Sequence, residues 1–112
     1  MNKSKIKKVG QEVIKLESIA LAKLSKSLDK DFIKAVELIS QQNGKIIVSG
    51  VGKSGIISKK WAATFASTGT PSFFLDAANA SHGDMGQITS NDIVILISLS
   101  GESEELKNII QY

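Results

Sequence analysis

The chain has no cysteine and no arginine, only one proline, one histidine, one tryptophan and one tyrosine, and no apolar run near the length needed to span a bilayer. Without cysteine there is neither a disulfide framework nor a thiolate metal site, and His82 alone cannot make an imidazole cluster. A metal-dependent mechanism is therefore not expected. The N-terminus has no apolar core of a signal peptide, so the default expectation is a cytoplasmic protein with no membrane partner. All 14 basic residues are lysine, and 8 of them fall within the first 30 positions. They alternate with apolar residues at helical spacing, which reads as a solvated helix face. Missing arginine also removes the planar fork that reads bases and phosphate backbones, so no nucleic-acid partner is expected.

What is present is organised around Lys45-Ile-Ile-Val-Ser-Gly-Val-Gly-Lys-Ser-Gly55. A β-branched run that breaks into glycines at 50, 52 and 55 is a strand entering a tight turn. The glycines permit positive φ and close approach to a ligand. The residues after them are compatible with a helix, whose N-terminal amides would attract an anion.

Upstream, Ile6, Val9, Val13, Leu16 and Ala20 recur at spacings of three and four, describing a helix to about Ser27 with an apolar face for this domain or for a partner subunit. Asp29 is placed to cap a second helix carrying Phe32, Ile33, Val36 and Ile39. That helix should close near Gln42, with Gly44 in a left-handed turn. Downstream, Ile57, Trp61, Thr64, Phe65 and Thr68 suggest the inner face of a third helix, ended by Gly69 and Pro71. Ser72–Leu75 reads as a short buried strand, and Ile93–Ile97 as a strand buried on both faces. A small polar turn, Ser98–Ser103, then leads into a helix from Glu104. The alternation predicts an α/β fold with a three-layer parallel sheet. At 112 residues and 42% hydrophobic this is one domain, short for a complete α/β enzyme, and only three strands are formed. The expectation is a single domain over residues 1–112, incomplete on its C-terminal side.

The glycine turn admits three readings. A P-loop would need glycine where Ile47 stands. A dinucleotide fingerprint fits Gly50-x-Gly52-x-x-Gly55, with Asp76 about 20 residues on as the ribose-binding acid. The third reading rests on the second turn: Ser98, Ser100 and Ser103 cluster three hydroxyls around Gly101 at a helix entrance, which suits a phosphate dianion. The alternative for these serines is helix capping.

Gly52-Lys-Ser-Gly55, the segment Ala62–Phe74, Ser81-His-Gly-Asp84 and Ser98-Leu-Ser-Gly-Glu-Ser103 together resemble the sugar isomerase (SIS) domain, over roughly residues 10 to 112. Within it they are most similar to the branch that interconverts ribulose 5-phosphate and arabinose 5-phosphate, supplying the octulosonic acid of lipopolysaccharide or capsule. The resemblance implies a flavodoxin-like five-stranded parallel sheet, a homo-oligomer with active sites shared between subunits, a phosphorylated pentose as substrate, and no required cofactor. It places Gly52, Ser54, Ser98, Ser100, Gly101 and Ser103 on the substrate, and Lys53, His82 and Glu105 in functional positions.

Those residue types suit the implied chemistry. An aldose–ketose isomerase opens the ring, removes the proton beside the carbonyl, stabilises an enediolate and returns the proton to the neighbouring carbon. Glu105 is the candidate base, Lys53 the cation facing substrate oxygens, and His82 the ring-opening or proton-shuttling group. Each has a plainer reading: Lys53 as a solvated turn lysine, Glu105 as an acid favoured by a helix dipole, and His82 as a core histidine, which its polar setting among Ser81, Gly83 and Asp84 disfavours; Asp84 either orients the imidazole or begins a turn. Leu99 and Asn79 depart from the family's usual amide and glutamate. The family's later strands, its second functional histidine and its paired regulatory domains have no counterpart here. A sugar-phosphate-sensing module without proton transfer is the alternative of another class.

Overall fold

The computed structural model describes residues 1–112 as two compact units, Met1–Glu37 and Leu38–Tyr112. In the first, α1 (Lys3–Ser27) starts where the Asn2 side chain accepts the Ser4 amide at 2.8 Å. None of its residues is buried, and the stripe through Ile6, Val9, Val13 and Leu16 is exposed along its length. The next helix, α2 (Lys30–Gln41), is capped as its sequence suggests, with Asp29 Oδ1 accepting the Asp31 and Phe32 amides at 3.0 and 3.3 Å.

The second unit is built on three parallel strands, β1 (Ile46–Gly50), β2 (Ser72–Phe74) and β3 (Ile93–Ile97), in the order β2-β1-β3. β1 pairs Ile46 with Ser72 on one side and with Ile93 on the other, so Gly50 lies beside Ile97. Both turns of interest therefore leave the same rim of the sheet. β1 is wholly buried because it is central. β3 is only half-buried, contrary to the two-sided burial expected from its unbroken apolar run, because it stands at an edge. Over one face lies α3 (Lys53–Ser67), where Ile46, Val48 and Ala62 form a core with Ile39, Phe65 and Phe74. Over the other lie α4 (Ala77–Ala80), a 3₁₀ turn (Asp84–Gln87) and α5 (Glu104–Gln111). Ile47 and Leu75 pack there on Ala77, Ala80, Leu106 and Ile109. This is the three-layer α/β arrangement.

Three local expectations are corrected. The strand-facing side of α3 is Gly55, Ser58 and Ala62, while Ile57 and Trp61 are exposed. Small residues win because the helix crosses β1 closely: a Cβ on Gly55 would stand 2.8 Å from the Gly50 carbonyl oxygen, and one on Gly50 2.8 Å from the Ser54 carbonyl. Of the three turn glycines only Gly52 has positive φ, at 62°. Gly44 is not in a left-handed turn either. It is glycine because a Cβ there would run into the Asn91 carbonyl and the Asp92 carboxylate.

Candidate active site

At the carboxyl rim of the sheet two cavities share one wall, Val51. The first, about 300 Å³, is lined by Val51, Ser54, Ile97, Ser98, Leu99, Ser100 and Ser103. Its serine loop is held by its own hydroxyls. Ser98 Oγ accepts the Gly101 amide at 2.9 Å and lies 3.2 Å from Ser103 Oγ, while Ser100 Oγ accepts the Glu102 amide at 3.1 Å. Gly101 takes φ +71°, which closes the loop without a Cβ penalty. Ser103 occupies the N-cap position of α5 but makes no capping hydrogen bond. The Ser103 hydroxyl therefore does not cap α5: the Leu106 amide bonds the Ser103 carbonyl at 3.1 Å, and no side chain accepts from the Glu104 and Glu105 amides.

The second cavity, about 250 Å³, is lined by Gly50, Val51, Gly52, Gly55, Ile56, Lys59, Phe74, Asp76, Ala77, Ala78 and Glu105. Glu105 reaches it from the first turn of α5, and its neighbour Glu104 is the one tied to Lys107, at 2.8 Å. Asp76 spends one carboxylate oxygen as the cap of α4, accepting the Ala78 and Asn79 amides at 2.9 and 3.2 Å. The fingerprint glycines and Asp76 do meet in this cavity, whose volume lies below the range of pockets for drug-sized ligands.

The structure therefore brings Gly52 and Glu105 to one cavity and Ser54, Ser98, Ser100 and Ser103 to the adjoining one, with Gly101 shaping the loop between the last two serines. Lys53 and His82 line neither. Lys53 opens α3 with its side chain exposed. His82 is exposed in the turn after α4, its amide bonded to the Asn79 carbonyl at 2.9 Å. Asp84 begins the 3₁₀ turn rather than bonding the imidazole. Lys59 and Phe74 were missed by sequence reasoning. Their signals were available: Lys59 follows Gly55 by one helical turn, and Phe74 closes β2 at the same rim. No three of the His, Asp and Glu side chains meet as metal ligands would.

The SIS domain profile matches residues 38–112, two thirds of the chain and the whole of the sheet with both cavities. The chain belongs to the SIS domain family. Arabinose 5-phosphate isomerase KdsD of Yersinia pestis is 52% identical over 101 residues, which make up 90% of this chain and 31% of that protein. Among solved structures, an Escherichia coli CFT073 protein in complex with arabinose 5-phosphate superposes with a TM-score of 0.91 at 40% identity, over 99% of this chain and 59% of that one. A Bacteroides fragilis protein described as a candidate phosphosugar isomerase of capsule formation gives 0.87 at 40% identity, over 95% of this chain and 56% of that one. The chain spans about a third of the length of the curated relatives it matches. No helix is long and apolar enough to cross a membrane.

Proposed function

We propose that this SIS domain carries the phosphate-binding and base-bearing part of an aldose–ketose isomerase that interconverts D-ribulose 5-phosphate and D-arabinose 5-phosphate. The observation behind this reading is the pairing of cavities across Val51: uncapped amides and serine hydroxyls on one side, an unpaired carboxylate on the other. The phosphate would sit on Ser98, Ser100, Gly101 and Ser103, with Ser54 opposite, and the sugar would extend past Val51 to Gly52 and Glu105. Glu105 then removes the proton from the carbon beside the carbonyl and returns it to the neighbouring carbon, through an enediolate. Lys53, at the mouth of the turn, would face substrate oxygens, and His82 would assist ring opening. The KdsD relatives and the neighbour in complex with arabinose 5-phosphate support the substrate class. The reading also takes the exposed stripe of α1 as a contact between copies of the chain.

One observation favours the non-catalytic alternative, a sugar-phosphate-binding module: Lys53 and His82 line neither cavity. Incubation with ribulose 5-phosphate in deuterated water separates the two. The isomerase reading expects deuterium at the proton-transfer carbon and at least a roughly hundredfold slower exchange in Glu105→Gln. Binding without exchange would leave the module.

A further inference from the structure

Lys59 stands one residue beyond Ser58, the side chain that packs α3 on the sheet, so it lies at the margin of the buried face rather than on the solvent side opposite. Its ammonium is 5.2 Å from the centroid of the Phe74 ring, at the end of β2. A lysine is a flexible point charge, and resting it on an aromatic face reduces the positions it samples. Lys45 pairs with Asp92 and Lys107 with Glu104, but Lys59 has no carboxylate partner although Asp76 and Glu105 line the same cavity. The cavity thus presents a located, unpaired cation and an unpaired carboxylate. An oxygen-rich ligand that needs charge stabilisation next to a base would use that pair.

We infer that Lys59 contacts substrate, holding the carbonyl or hydroxyl oxygens of the acyclic sugar phosphate beside Glu105. This rests on the functional reading above and adds to it a cation inside the sugar cavity, where Lys53 does not reach the lining. Because Lys59 lines the sugar cavity and not the serine cavity, its contribution falls on the sugar and not on the phosphate.

The test is isothermal titration of the 112-residue chain at 0.15 M salt, where the Debye length of about 8 Å limits long-range charge effects. Two probes are used, arabinose 5-phosphate and inorganic phosphate. Lys59→Met should weaken arabinose 5-phosphate about tenfold and leave inorganic phosphate within about twofold of wild type, and Lys59→Arg should restore most of the loss. Lys59 is exposed, so neither substitution threatens the fold. Unchanged affinity for the sugar phosphate in Lys59→Met, or an equal loss for both probes, overturns the inference while the phosphate site stands. A wild-type chain that binds neither probe overturns the functional reading, and the role of Lys59 with it.

Discussion

Asp92 offers the sharpest test of how the sheet is held. It precedes β3, and its side chain is fully enclosed. Oδ1 accepts the Lys45 amide at 2.7 Å, Oδ2 accepts the Thr89 amide at 2.7 Å, and the Lys45 ammonium lies 3.2 Å from both oxygens. Burial alone would raise its pKa, but the hydrogen bonds from the Lys45 and Thr89 backbone, helped by the Lys45 side chain, outweigh it and bring the carboxyl down to about 2 from 3.8. A folded pKa below the unfolded one stabilises the fold above about pH 4, and that stability disappears as pH falls through about 2. The shift corresponds to at most about 2.5 kcal/mol. Lys45 is 39% exposed and its ammonium is screened by water, so about 1–2 kcal/mol is the working figure. Asp92→Asn keeps the shape but turns one acceptor into an NH₂ that must face a backbone N–H. One buried donor is orphaned, at a cost of about 1–3 kcal/mol. Urea unfolding at pH 7 should show Asp92→Asn about 2 kcal/mol less stable than wild type, and the gap should narrow as pH is lowered from 4 toward 2. Equal stability at pH 7, or a gap that does not change with pH, would refute the account.

Other consequences can be measured directly. Gly55→Ala gains about 1 kcal/mol of helix propensity but forces a methyl against the Gly50 carbonyl, so denaturation should show a net loss of about 1–2 kcal/mol. Leu106→Ala removes a buried side chain from the core beneath Glu105, and thermal or urea melts should record about 2–4 kcal/mol. Leu99, wholly exposed between the loop serines and lining their cavity, can be given an amide: Leu99→Gln should tighten inorganic phosphate severalfold by titration, and no change would mean the side chain points away from the anion. If α1 joins copies of the chain, Val13→Asp should convert a larger sedimenting species to monomer, whereas a wild type that already sediments as monomer removes that role.

Much of the fold was legible in residue order because it depends on local chemistry. The Asp29 cap follows from a side chain bonding its neighbouring amides, the strand at Ile46–Gly50 from its β-branched run, and the stop at Gly69 from a glycine free to take positive φ. So does the serine loop, whose three hydroxyls bond neighbours within five residues. What depends on distant packing was not legible. Spacing alone marked Ile57 and Trp61 as inward, because a helical period shows that a face exists and not how near the sheet will come. That distance is set by Gly50 against Gly55, and it turns the buried side to Gly55, Ser58 and Ala62. Gly44 likewise answers to Asp92, far along the chain. Residue order was enough to say which segments become strand, turn and helix, and which residue types stand at the rim. It could not say that Glu105 shares a cavity with Lys59 and Asp76 while Lys53 and His82 stay outside its lining. That outcome comes from strand order and register, which place the ends of β1, β2 and β3 side by side.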